Sequence, residues 1–163
     1  MASAPVKILT LAALAALALS ACGFRLAGTN SLPPELGKVQ LQAGDLDKRQ
    51  RAELYQRLTQ AGVEVRDQPF TDAVRLSVSI EAPPDRRVVA SSSRKTVKRV
   101  TRQLKYSLFD SSGKLLAQKT LTQQGDVTVD DDNLLSSGGE KEAVVEDLER
   151  SLFDRLLQQL ARI

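Results

Sequence analysis

Three successive stretches of this chain alternate apolar and polar side chains, and no other feature limits its fold so tightly. Val74, Leu76, Val78 and Ile80 alternate with Arg75, Ser77, Ser79 and Glu81. A period of two describes a strand with one buried and one polar face. Pro83-Pro84 stops it, because proline has no N–H for the ladder. Residues 96–109 alternate again, with Val100, Leu104, Tyr106 and Leu108 sharing a face. Arg102 interrupts that face, which predicts a bulged or half-wet strand there. Asp110-Ser111-Ser112-Gly113 suits a hairpin turn, since glycine adopts positive φ without penalty. A third strand over 114–128 follows, with Leu115, Ala117, Leu121 and Val127 predicted to point inward.

Two segments change period. Asp45 or Asp47 can cap a helix over 47–61, whose apolar side is Leu54, Tyr55, Leu58 and Ala61. Gly62 stands where a helix C-terminus usually places glycine. Ser137-Gly138-Gly139-Glu140 is a capping-box pattern and predicts a helix of about 23 residues to the end of the chain. Its stripe is Val144, Val145, Leu148, Leu152, Leu156 and Leu160, widened by Phe153 and Leu157. Glu140, Glu142, Glu146, Asp147 and Glu149 crowd its first half, and Arg155 and Arg162 lie later, as the helix dipole favours. Lys38–Gln42 is a further short strand. The order strand, helix, strand, strand, strand, helix predicts an α+β two-layer sandwich. Two amphipathic helices cover one face of a four-stranded mixed sheet, with a parallel pair at the start. The other face would carry Arg75, Ser77, Ser79, Glu81, Arg99, Thr101, Gln103 and Lys105, polar enough to be wet or to meet a partner.

Upstream of this domain the composition is different. One positive charge, Lys7, precedes twelve mostly apolar residues, Ile8 to Leu19, and small residues lead to the only cysteine, Cys22. That is the plan of a secretory signal peptide, and twelve apolar residues fall short of the roughly 20 that cross a bilayer. Leu19-Ser20-Ala21-Cys22 resembles the bacterial lipobox. The resemblance implies cleavage after residue 21 and acylation of Cys22, an anchor of several chains at about 0.8 kcal/mol per buried methylene. Gly23 follows rather than Asp, which favours the outer membrane in enteric-type bacteria. The division is thus 1–21 signal peptide, 22–37 lipidated extended tether and 38–163 a single α+β domain. With Cys22 acylated the mature chain has no disulfide and holds by packing alone.

Composition excludes much chemistry. There is no histidine and no tryptophan, which removes the commonest general base and metal ligand and leaves little for an aromatic sugar or base-stacking site. The acidic run 130–132 lacks the spacing, central glycine and terminal glutamate of the known calcium loop, so it reads as a solvated loop and no metal is expected. Ser91, Ser92 and Ser93 have no histidine beside them and no nucleophile-elbow pattern. The chain reads as non-enzymatic, with no cofactor beyond the covalent lipid.

One block stands out by charge. From Arg86 to Lys105 there are eight basic residues and no acid. Arg86, Arg87, Arg94 and Lys95, with Lys98 and Arg99, can gather near one end of the sheet. Such a cluster can grip phosphate through arginine forks and lysine point charges, or lie near an anionic membrane. It can equally be a solvated strand face that blocks edge pairing. Nucleic acid is not an expected partner for an exported, acylated chain.

With these residues set out, the chain resembles the lipopolysaccharide-assembly lipoprotein family. Cys22-Gly23-Phe24-Arg25-Leu26-Ala27-Gly28 is similar to the family's Cys-Gly-aromatic-x-Leu-Arg-Gly opening, with Ala27 in place of the usual Arg. Ser31-Leu32-Pro33 resembles its Leu/Val-Pro element, and the order of elements matches across the mature domain. The resemblance implies a two-helix, four-strand sandwich inside the lumen of a large β-barrel translocon (an LptD-type partner), supporting its assembly and plugging it. It also implies lipopolysaccharide binding through basic residues, one of them in the loop between the second and third strands. Arg94 is the nearest match there. A second basic position before the last helix has no counterpart in Leu134–Gly138.

Two functions follow as expectations. One is an outer-membrane lipoprotein that plugs and scaffolds that barrel, its domain in the lumen on the periplasmic side. The other is a free-standing periplasmic lipoprotein that binds lipid A or other anionic polymers through the basic residues.

Overall fold

The computed structural model describes residues 32–90, 95–130 and 134–163, without the side chains of 89, 90, 95, 130 and 134–136. Cys22, the 22–28 opening, Ser91 to Arg94 and residues 131–133 lie outside the described residues. A 3-10 turn, Pro34–Leu36, leads to β1 (Lys38–Gln42), α1 (Lys48–Gln60), β2 (Glu64–Arg66), β3 (Val74–Glu81), β4 (Arg86–Ala90), β5 (Lys95–Phe109), β6 (Leu115–Asp130) and α2 (Leu134–Leu160).

Local chemistry explains the boundaries. Asp47 caps α1 through a full capping box: its Oδ1 accepts from Gln50 N at 2.8 Å, and Gln50 Oε1 accepts from Asp47 N at 3.0 Å. At the other end Gly62 takes φ 87°. Gly62 N donates to Thr59 O and Val63 N to Leu58 O, the two bonds of a Schellman motif. The hairpin between β5 and β6 closes on Asp110, whose Oδ1 accepts from Ser112 N, Ser112 Oγ and Lys114 N, with Gly113 at φ 88°.

The sheet is wider than the four strands expected. β1 runs parallel to both β2 and β3, and β3, β4 and β6 are antiparallel to β5. Residues 103–109 of β5 pair with β3 as well as with β6, and residues 96–99 pair with β4 as well as with β6. β3 and β4 therefore share one edge of β5, and β6 holds the other. β3 and β4 act as a single long strand, broken at Ala82–Asp85 where two prolines forfeit the ladder bond. The sheet is five strands across in six segments. β2 has only three residues, too few to display a period, and β4 was hidden behind the prolines in what reads as a loop.

Both helices pack on one face. Leu54 and Leu58 of α1 and Leu152, Phe153, Leu156 and Leu160 of α2 are buried against Val39, Leu41, Leu76, Val78, Leu104, Tyr106 and Leu108. Four expectations need correction. Tyr55 is 42% exposed, its hydroxyl donating to Val65 O at 2.7 Å at the rim of the core. Leu115 is 47% exposed, because a register shift beside the hairpin sets it opposite Phe109, on the face away from the helices. α2 begins at Leu134, so Ser137 lies within it and is not its cap. The extended tether over 22–37 gives way at 34–36 to the 3-10 turn, which delivers Leu36 into the core at 3% exposure.

The core has two parts. Val100, Val127 and Leu148, with Val144 and Val145, form a small cluster under the far half of β5 and β6. A polar group lies between it and the main core. Arg102 is not at a bulge: it pairs in register with Gln123. Its Nε stands 3.7 Å from Glu149 Oε1. Glu149, 3% exposed, also accepts from Arg49 Nη2 at 2.5 Å and Gln50 Nε2 at 3.0 Å. A buried carboxylate is tolerable only when paired and fully hydrogen-bonded, and α1 and β5 supply that shell around a carboxylate carried by α2.

Candidate functional site

The sheet face away from the helices is left bare, for among the described residues no element covers it. Its side chains are those predicted, from Arg75 and Ser77 to Gln103 and Lys105, continued on β6 by Gln118, Thr120, Thr122, Gln124 and Asp126. Most of its charges are matched across strands. Lys105 Nζ meets Glu81 Oε1 at 2.6 Å. Arg99 grips Asp126 with two bonds, Nε to Oδ1 at 2.8 Å and Nη2 to Oδ2 at 3.0 Å. That hydrogen bond, then the charge attraction, raises the Arg99 pKa and lowers that of Asp126. Arg75 lies 4.5 Å above the centroid of Phe109. The result is a surface of hydroxyls, amides and neutralised pairs.

Of the basic residues, Arg86, Arg87, Lys98 and Arg99 stand at the β4 end, though not as one patch. Arg86 faces Arg99 across the β4–β5 pairing, and Arg87 faces Lys98. Lys98 is in turn opposite the buried Val127, so it lies on the helix side, while Arg99 lies on the bare side. Arg94 and the side chain of Lys95 are outside the described residues. The gap left by Pro83 and Pro84 opens a depression of about 510 Å³ lined by Arg86, Arg87, Arg99, Thr101, Gln103 and Gln124, among others. Asp126 already takes Arg99. Among the described residues Arg86 and Arg87 have no carboxylate within ion-pair distance, so two guanidinium groups remain to meet an anion.

Sequence reasoning missed Asp126 as the partner of Arg99. Counting outward from the Asp110–Gly113 turn sets Arg99 opposite Gln124, and only the register shift at Leu108 and Phe109 brings it to Asp126. No signal marked Glu149, one of six acids on α2 that look alike in the sequence. Among the described residues no group of His, Cys, Asp or Glu is arranged to hold a metal ion, and no helix is long and apolar enough to cross a membrane.

Fold and site define a class: a small two-layer α+β domain whose five-strand sheet leaves one polar face free and carries cations at one end. Three solved likenesses are lipoproteins by description. A minor lipoprotein from Acinetobacter baumannii aligns with a TM-score of 0.62 and 18% identity, over 78% of this chain and 92% of that one. An uncharacterized lipoprotein B from Nitrosomonas europaea gives 0.67 and 17%, over 85% and 90%. The rare lipoprotein B from Shewanella oneidensis gives 0.60 and 16%, over 77% and 94%. At such identities these establish the fold. No curated protein matches the sequence. The family described as LptE, Lipopolysaccharide-assembly, matches residues 36–160. The chain belongs to that family and is a lipopolysaccharide-assembly lipoprotein.

Proposed function

We propose that this protein is a non-enzymatic outer-membrane lipoprotein, tethered on the periplasmic side by acyl chains on Cys22. Its domain occupies the lumen of a large LptD-type β-barrel, plugging it and supporting its assembly as lipopolysaccharide passes to the cell surface. Membership of the lipopolysaccharide-assembly family supports this reading. The observation that carries it is the bare sheet face. A surface of Ser, Thr and Gln with matched charges has little apolar area to hide, and it suits a barrel interior, which is polar where the outside is apolar. Arg86, Arg87, Lys98 and Arg99, together with Arg94 and Lys95 of the same basic block, are the groups we assign to lipopolysaccharide phosphates.

The test is isolation of the tagged full chain from outer membrane in mild detergent, with Cys22→Ser alongside and mass spectrometry of what accompanies it. A stoichiometric large barrel beside an acylated chain is the expected result, and Cys22→Ser should leave the membrane fraction if no barrel holds it. An acylated chain that emerges alone refutes the plug and favours the free-standing anionic-polymer binder.

A further inference from the structure

The chain joins the sheet at the end of the molecule that carries the β5–β6 hairpin. Gly37 O accepts from Glu64 N at 2.8 Å. Val39 stands opposite Val74, and Arg75 opposite Phe109. The first described residues are therefore level with the turn at 110–113. β1 is two strands from β5, about 10 Å at the usual strand spacing. Along β5 from Phe109, Arg99 with Arg86 opposite it is ten residues away, about 33 Å at the usual rise per residue, and Lys95 is fourteen away, about 45 Å.

Exposed apolar side chains concentrate at the hairpin end. Leu115 is 47% exposed, Leu116 44% and Ile163 52%, three of the five large exposed hydrophobics among the described residues. Lys119 Nζ donates to Gln159 Oε1 at 2.7 Å, which sets the start of β6 beside the end of α2. Ile163 follows there, its N–H returning to Leu160 O. Leu108 pairs with Ala117 and Phe109 with Leu115, so Leu115 and Leu116 stand together at a bulge at the tip. Lys114, Lys119 and Arg162 stand near them in the chain. The acid of the turn, Asp110, is satisfied by the turn's own donors. Exposed leucines among lysines are the composition of a surface that dips into the interface of an anionic bilayer.

The length of the N-terminal segment supplies the occupant. Ten residue steps separate Cys22 from Leu32 and span at most about 35 Å. A leaflet that holds acyl chains on Cys22 must lie within that reach of Leu32, so the hairpin end meets it with slack, while Arg86 and Arg99 stand at the limit of the reach along the strand axis and Lys95 stands beyond it. We propose that Leu115 and Leu116, with Ile163, form a foot that rests in the phospholipid leaflet holding the Cys22 acyl chains. The basic end then points away from that leaflet. This rests on the acylation of Cys22 and does not depend on the barrel.

The test uses the acylated mature protein, in which Cys22 has no free thiol, in phosphatidylethanolamine–phosphatidylglycerol vesicles. Leu116→Cys and Val88→Cys, of nearly equal exposure at 44% and 42%, are each labelled with an environment-sensitive dye. The dye at 116 should shift to the blue on reconstitution and be quenched by nitroxide lipids, and the dye at 88 should do neither. Equal emission at the two positions in vesicles overturns the foot. So does protection of position 116 that appears only when the barrel accompanies the chain, since the leucines then contact protein. Labelling of Cys22 in the unsubstituted protein would show the anchor missing and remove the foot with it. Isolation without a barrel while 116 is quenched refutes the plug and leaves the foot standing.

Discussion

Replacing Glu149 by alanine tests the account of the core most directly. The carboxylate is 3% exposed and is shared by Arg49, Gln50 and Arg102. Of these, Arg49 is 45% exposed and can turn to water, so its loss of the pair costs little. Arg102 is different. Its side chain is 14% exposed and stands on the helix-facing side of β5, between Val100 and Leu104, both fully buried. Without Glu149 its charge keeps one hydrogen bond, from Nη1 to Thr101 O at 3.0 Å, and has no counter-ion within the core. Removing one partner of a buried pair typically costs about 3–5 kcal/mol. Partial exposure of Arg102 puts the expectation at the low end, about 3 kcal/mol. For a domain of this size that lowers Tm by roughly 10 °C. Urea unfolding followed by circular dichroism measures it, on the Cys22→Ser chain so that lipid does not interfere. The companion variant is Glu149→Leu with Arg102→Leu. Removing both charges and filling the space with apolar atoms should recover most of the loss, because the cost lies in the orphaned cation rather than in the missing bond. A Glu149→Ala midpoint within about 0.5 kcal/mol of the parent, the scatter of ordinary surface changes, would refute the reasoning. A double variant no more stable than the single one would refute it as well.

Two further predictions concern the strands. Gly125 sits under α2, where an added Cβ would lie 2.7 Å from Val144 Cγ1 and 3.5 Å from Leu148 Cδ2. Gly125→Ala should therefore destabilise by about 1–3 kcal/mol, as overpacking does, although alanine is otherwise the better strand residue. Val144→Ala should relieve it, and a more stable Gly125→Ala would refute the close approach of helix to strand. Acid should also weaken the fold. Asp110, held by Ser112 and Lys114, and Asp126, held by Arg99, have carboxyls below their ordinary value of 3.8. A depressed folded pKa gives stability that is present above the unfolded value and is lost as pH falls through the folded one. The urea midpoint should decline below about pH 4, and Asp110→Asn with Asp126→Asn should flatten that decline.

What was legible in the sequence was whatever repeats along the chain. The stripe from Val144 to Leu160 placed α2 on the core because side chains three and four apart share a helix face. The run from Val74 to Ile80 did the same for β3 with a period of two. Gly62 and Asp110–Gly113 marked their turns because few residues fit such backbone. The cations at 86–99 drew attention to one end of the sheet by charge alone. The structure decided what depends on meeting distant residues. β2 is too short to carry a period, and β4 became a strand because β5 extends far enough to pair with it. Alternation assigned Leu115 to the inward face but could not tell that a register shift sets it opposite Phe109. Glu149 resembles its neighbours in the sequence, yet it contacts Arg49 a hundred residues away. A charge carries no local mark of whether its face will be buried. That is settled by how loops close and how strands register, which place Arg102 beneath α2 and leave a carboxylate there as the way to neutralise it.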